Sequence, residues 1–207
     1  MGDGERYRTV GRRGRASFEI RGSEFIGHAA TVNSRAAAEA FVDEIGAEYD
    51  DATHNVPVYR VRVESGSGHI LREYQSDEGE PTGSAGKPAL NVLQQEDLEN
   101  VAVVITRYYG GTNLGVGGLA RAYSRAVKEA IEEAGIVEER PKEQFSIEVS
   151  YDDSGTVRGI LESADAAFEA DYDERVGFEV TVAREDGATL RDRIRSATSG
   201  RADIERE

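Results

Sequence analysis

The sequence predicts two α+β domains in tandem, a reading that rests on three observations. An unbroken apolar run, Val101–Thr106 (VAVVIT), has the character of a central strand buried on both faces. A charged stretch, Glu138-Glu139-Arg140-Pro141-Lys142, interrupts the pattern after a long amphipathic helix. Beyond it, about 65 residues repeat the order β-α-β-β-α-β of the ferredoxin-like split β-α-β unit. The expected boundaries are 1–137 for the first domain, 138–142 for the linker and 143–207 for the second domain.

The elements follow in order. Arg15–Phe25 and Ile26–Val32 read as strands turning around Gly22-Ser23. Asn33-Ser34 caps a helix whose inner stripe is Ala37, Phe41, Ile45 and Tyr49, each four apart. Asn55–Val63 and His69–Gln75 form a hairpin through Ser65-Gly66-Ser67-Gly68. Asp77–Pro88 is a loop, and Pro88 suits the first position of a helix running to Gln95. After the central strand, a glycine-rich loop, Tyr108–Gly118, leads into a helix from Leu119 to Ala134 that ends at Gly135. In the second domain, Phe145–Ser150, Ala167–Tyr172, Gly177–Ala183 and Ala202–Glu205 are strands, and Ser154–Ser163 and Ala188–Ser196 are helices.

Composition excludes several classes. With no cysteine among 207 residues, disulfides, iron–sulfur clusters, cysteine-ligated zinc and thiol catalysis are all absent. No stretch approaches the roughly 20 apolar residues of a membrane-spanning helix. Met1-Gly2-Asp3-Gly4-Glu5 has no apolar leader, so a cytoplasmic protein is expected. The net charge is −15, and only Lys87, Lys128 and Lys142 of the 25 basic residues are lysines. That acidic, lysine-poor composition fits a halophilic protein working in concentrated salt. Near 1 M the screening length falls to about 3 Å and self-repulsion fades. Salt of that strength also weakens the long-range repulsion that would otherwise keep an acidic protein from nucleic acid.

Charge is unevenly distributed. Residues 1–140 carry 16 basic and 23 acidic side chains, and residues 141–207 carry 9 and 17. Within the first domain no Asp or Glu occurs between Asn100 and Lys128, whereas Arg107, Arg121, Arg125 and Lys128 all do. The last three, spaced by four and three, share one helical face. They follow Gly110, Gly111, Gly115, Gly117 and Gly118, and glycines let backbone N–H groups approach an anion at a helix start. An anion or nucleic-acid site is therefore expected over Arg107, Tyr108, Tyr109, these five glycines, Arg121, Arg125 and Lys128. The alternatives are that the glycines serve only tight turns and close packing, and that Arg107 is buried, paired with Asp77, Glu78 or Glu80, and purely structural.

Other motifs fail on inspection. Gly79–Lys87 is no phosphate loop of the Walker type, because Pro81 and Pro88 stand where glycine and a hydroxyl residue are required. Gly115-Val116-Gly117-Gly118-Leu119-Ala120 echoes a dinucleotide fingerprint but lies too far from its strand. His54 with Asp77, Glu78 and Glu80 could serve acid–base chemistry. His28 and His69 are isolated, so neither a metal nor another cofactor is expected. Ser84 and Ser124 have no base in reach of the sequence pattern.

Several segments together resemble the IMPACT/YigZ family. They are Ser23-Glu24-Phe25-Ile26-Gly27, His54-Asn55, Asp77-Glu78-Gly79-Glu80-Pro81 with Gly83 and Ala85-Gly86-Lys87-Pro88, then Val104–Gly111 and Leu114–Tyr123. The resemblance covers nearly the whole chain. It implies a first domain with the fold of domain two of small-subunit ribosomal protein five. It also implies a ferredoxin-like second domain similar to the last domain of elongation factor G. Two departures stand out: Val56 where the family usually has cysteine, and Asn113 where an aliphatic residue or lysine is frequent. Eukaryotic members carry an additional N-terminal partner-binding domain for which this chain has no room.

The expected function is non-enzymatic and associated with translation: binding of RNA or a ribonucleoprotein surface through the first domain. One rival is an enzyme on a small phosphate-bearing substrate, with His54, Asp77, Glu78 and Glu80 as acid–base groups and Arg107 as anion clamp. Another is a protein–protein regulator that uses the acidic second domain. If the acidity is a salt adaptation, the melting temperature should climb steeply between dilute buffer and molar KCl. A flat thermal-denaturation profile over that range would rule the adaptation out.

Overall fold

The computed structural model describes residues 6–65 and 68–206. The chain divides into two compact units, Tyr7–Glu139 and the residues from Arg140 onward. The first contains β1 (Tyr7–Val10), β2 (Gly14–Ile20), β3 (Ser23–Thr31), α1 (Arg35–Glu48) and β4 (His54–Ser65). It continues with β5 (Gly68–Gln75), α2 (Gly86–Gln95), β6 (Val101–Tyr108), α3 (Gly115–Ala134) and β7 (Ile136–Glu139). Five of these strands form an antiparallel sheet in the order β2-β3-β6-β4-β5.

The central place of β6 follows from its sequence. Val101, Val103 and Ile105 enter a core shared with α2 and α3, whereas Ala102 and Val104 enter a separate core with α1. A strand apolar on both faces is satisfied only between two covering layers. On one face α1 starts where the Ser34 side chain accepts from the Ala37 N–H at 3.1 Å, and it buries Ala38, Phe41 and Ile45. On the other face α3 lies directly against β2 and β3. Gly14 and Gly27 permit that approach: a Cβ on them would stand 2.3 Å from the Ala130 carbonyl oxygen and 2.4 Å from that of Ala126.

Several boundaries differ from the sequence reading, each for a local reason. The first turn falls at Arg21-Gly22, both with positive φ, so Ser23–Phe25 open β3 rather than close the strand before it. Helix α2 begins at Gly86 and not at Pro88, because the Asp77 carboxylate accepts from the Gly86 N–H at 2.9 Å and organises the turn earlier. The central strand extends through Arg107 and Tyr108, and α3 starts at Gly115, so Gly115, Gly117 and Gly118 belong to a helix and not to the loop before it. Most of the expected linker is strand: β7 pairs with β1 from Tyr7↔Glu139 to Val10↔Ile136, and the next strand starts at Lys142. The hairpin turn expected around Gly66-Ser67 lies outside the described residues.

The second unit runs β8 (Lys142–Val149), α4 (Tyr151–Ser163), β9 (Ala167–Tyr172), β10 (Val176–Ala183), α5 (Arg184–Ala197) and β11 (Asp203–Arg206). Its strands are antiparallel in the order β11-β8-β10-β9, the split β-α-β arrangement. Phe145, Ile147, Phe178 and Val180 point to a core with Val157, Leu161, Leu190 and Ile194 from the two helices. The other face carries exposed acids among its polar residues. Glu179 stands opposite Glu169, and Asp203 opposite Glu148.

The packing of α3 yields a paired test. Gly27→Ala should lower stability to urea by about 1–3 kcal/mol, because backbone must move to admit the methyl group. Gly46→Ala, in α1 with open space around it, should raise stability by about 0.5–1 kcal/mol.

Candidate functional site

Three segments far apart in sequence meet at the end of β6. In the sheet register His54 of β4 lies opposite Arg107 of β6, and the loop Ser76–Ala85 passes over both. Period-two alternation turns Arg107 toward the same face as Val103 and Ile105, so its side chain lies beneath the surface at 4% exposure. There it donates to Glu80 Oε1 at 2.5 Å. The Tyr123 hydroxyl, from α3, donates to the same oxygen at 2.8 Å. Burial first, and then the Glu80 charge, push the Tyr123 phenol far above its ordinary pKa, so it acts as a donor throughout the working range. Arg107 also reaches Ser23 Oγ at 3.4 Å, and its guanidinium lies between the rings of Phe25, at 5.4 Å, and Tyr109, at 5.3 Å. Its Nε is buried without a hydrogen-bond partner.

The loop above is held by Asp77. Its carboxylate accepts from the N–H groups of Gly83, Ala85 and Gly86 at 2.7, 3.0 and 2.9 Å. Desolvation alone would raise its pKa, but the three donors outweigh it and hold the carboxyl below the usual carboxylate range. His54 Nδ1 is 2.7 Å from the Glu78 carbonyl oxygen, and because a carbonyl only accepts, Nδ1 carries the hydrogen. Nε2 of the same ring lies 3.9 Å from Glu80 Oε1. Gly79 has φ +84°, and a Cβ on it would stand 3.4 Å from the His54 ring.

The sequence-predicted residues therefore separate into groups. His54, Glu80 and Arg107 converge; Asp77 supports α2, and Glu78 contributes its carbonyl group while Pro81 is exposed at the loop tip. Of the two readings of Arg107, anion contact or buried ion-pair partner, the structure shows the second, with Glu80 as the partner, because the strand continues two residues beyond its apolar run. Asn55 faces the other side of the sheet, where it donates to the Tyr49 carbonyl oxygen and accepts from Thr106 Oγ1. Tyr108 also faces that side. Its hydrogen bond to Asp51 is the main cause of a phenol pKa pushed up to about 12. Val56, in the position where the family usually has cysteine, is fully buried in the core.

The glycines separate as well. Gly110 is required by packing, since a Cβ would fall 1.9 Å from the Gly22 carbonyl carbon. Gly118 would crowd Leu114. Gly111 and Gly115 have positive φ with open space around them, and a Cβ on Gly117 would meet only the Arg121 guanidinium, at 3.5 Å. Helix α3 starts with no side-chain cap. Arg121 and Lys128 are exposed, but Arg125 is engaged, donating to Glu129 at 2.6 Å and covering the Phe18 ring at 4.0 Å. Thr53, absent from the expected site, and Ser23 and Tyr123, expected only as part of the family segments, also contact the site. The signal for Tyr123 was a tyrosine within an apolar helical stripe, whose hydroxyl needs a buried partner. Ser124 donates to the Pro88 carbonyl oxygen, and the Ser84 hydroxyl is buried without a partner.

Against known proteins, the model of the Impact N-terminal domain matches residues 21–131, more than half the chain. The chain belongs to the IMPACT family. A second model, a domain of unknown function, matches residues 147–201. The IMPACT family member YvyE of Bacillus subtilis is 34% identical over 199 residues, covering 96% of this chain and 89% of that protein. YigZ of Escherichia coli is 33% identical over 147 residues, 71% of each chain. A solved structure described as a hypothetical protein covers 98% of both chains at 27% identity, with a TM-score of 0.68. The motif that resembled this family in sequence is the one that folds around Glu80.

Removing the Arg107 guanidinium would leave the buried Glu80 carboxylate with only Tyr123 and a distant imidazole. Arg107→Ala should therefore cost about 3–5 kcal/mol of stability in urea unfolding, several times the loss for an exposed arginine such as Arg121. Equal losses at the two positions would contradict the buried-pair account.

Proposed function

We propose that this protein is a non-enzymatic, translation-associated member of the IMPACT family that binds RNA or a ribonucleoprotein surface through its first unit. The observation that carries the proposal is the uncapped start of α3, with open space at Gly111, Gly115 and Gly117 and the exposed Arg121 beside it. Unpaired N–H groups at a helix start and a neighbouring guanidinium favour a phosphate. The acid-free stretch from Asn100 to Lys128 keeps competing carboxylates of that segment away. The carboxylates offered for acid–base chemistry are already engaged, Asp77 by three backbone donors and Glu80 by Arg107 and Tyr123. That engagement favours binding over catalysis.

The resemblance extends the reading to fold and partners. We liken the first unit to domain two of small-subunit ribosomal protein five, and the strand order β11-β8-β10-β9 supports likening the second to the last domain of elongation factor G. A cytoplasmic location accords with that role. The exposed acids Glu148, Glu169, Glu179 and Asp203 on the second sheet suit a basic protein partner in the same assembly.

Two substitutions test the site. Arg121→Ala should weaken binding of single-stranded RNA by about 1–3 kcal/mol with little change in melting temperature. Gly117→Ala should raise the melting temperature, as alanine favours a helix, yet weaken binding by crowding the N–H groups. Unchanged affinity in both variants, measured by fluorescence anisotropy, would refute the site.

A further inference from the structure

We infer that Tyr109 is a stacking platform for an unpaired nucleobase, so that the nucleic acid bound by the first unit is single-stranded; this deepens the RNA-binding reading and rests on it. Tyr109 is 44% exposed, comparable with Tyr74, Tyr151 and Tyr172, which are also open to solvent. Exposed aromatics are ordinarily mobile, but this one is fixed at three points. Its backbone N–H donates to Thr53 Oγ1 at 2.9 Å, its hydroxyl donates to Asn113 Oδ1 at 3.1 Å, and its ring is backed by the Arg107 guanidinium at 5.3 Å.

The support beneath it continues into the core. Arg125 covers Phe18 at 4.0 Å, Phe18 stacks on Phe25 at 5.5 Å with planes 12° apart, and Phe25 meets Arg107 at 5.4 Å. Tyr109 ends this series of stacked rings and guanidinium groups at the surface. A ring held in advance loses little freedom when a partner stacks on it, and a guanidinium behind it adds cationic character to the platform.

The chemistry of the partner follows. Every base has a π-face, and base–aromatic stacking tolerates any sequence. A paired base within a duplex offers no free face to a protruding ring, whereas splayed bases of loops and single strands do. Val116 is also exposed, and a Cβ at Gly111 or Gly115 would meet open space, so the segment following Tyr109 is accessible to a ligand. Stacking also suits a chain of net charge −15. Phosphate contacts weaken steeply as salt rises, but the apolar contact of a base does not.

The test compares a labelled mixed-sequence single-stranded RNA with a ribose-phosphate oligomer of equal length lacking bases, by fluorescence anisotropy on the full chain in low and in molar KCl. The RNA is expected to bind roughly tenfold more tightly than the abasic oligomer, and to keep that advantage at high salt. Tyr109→Leu should erase the difference, whereas Tyr109→Phe should preserve it. If the abasic oligomer binds wild type as well as RNA does, the platform is excluded while RNA binding stands. The comparison on wild type needs no variant, so a Tyr109→Leu chain that fails to fold does not blunt it. If wild type retains neither oligomer, the RNA-binding reading fails and the stacking role with it, and a protein surface becomes the occupant.

Discussion

The first unit turns on one buried ion pair, Arg107 with Glu80. Strand β6 delivers the arginine to the α3 face of the sheet, the loop after β5 delivers the glutamate, and α3 supplies the Tyr123 hydroxyl that shares the same oxygen. Three elements are thereby tied at one atom. A buried pair of this kind adds little net stability over an apolar replacement of equal shape, but losing either partner is severe. Its value lies in what it specifies: the loop can close only where Glu80 meets Arg107. That closure brings the Glu78 carbonyl group within reach of His54.

The same pair explains why the motif residues divide between structure and surface. Everything below Arg107 is committed, Phe25 by stacking and Ser23 by hydrogen bonds to Arg107 and to the Gly110 N–H. Everything above it is open, from Tyr109 to the glycines at the start of α3. The boundary between core and candidate binding surface therefore runs through a single guanidinium, which lies near both a buried ring and an exposed one.

Much of this architecture was legible in sequence because it rests on periodicity. The central strand, the α1 stripe, the long helix and the β-α-β-β-α-β order of the second unit all follow from apolar spacing. What was not legible depends on contacts between distant residues. Strand β1 is four residues long and finds its partner, β7, only after the rest of the unit has intervened. The early start of α2 depends on Asp77, nine residues before Gly86. The burial of Arg107 against an acid of the 77–80 segment was open in sequence only as an alternative, because a window that lacks acids cannot say which distant acid meets the arginine. The glycines were the reverse case: their cluster was visible, but only the structure separates Gly110, required by packing, from Gly111, Gly115 and Gly117, which face open space.

The pairing of β1 with β7 has a consequence for how such a chain can change over time. Tyr7 and Glu139 are register partners, so the first unit enters and leaves its fold at adjacent points. Its sheet and helices close on themselves between those points. Whatever precedes Tyr7 or follows Glu139 can be exchanged, lengthened or removed without threading through the fold, as tolerated insertions generally require. The unit is thus a cassette with its two ends clasped together, and the family models, each confined to one unit, divide the chain at that clasp.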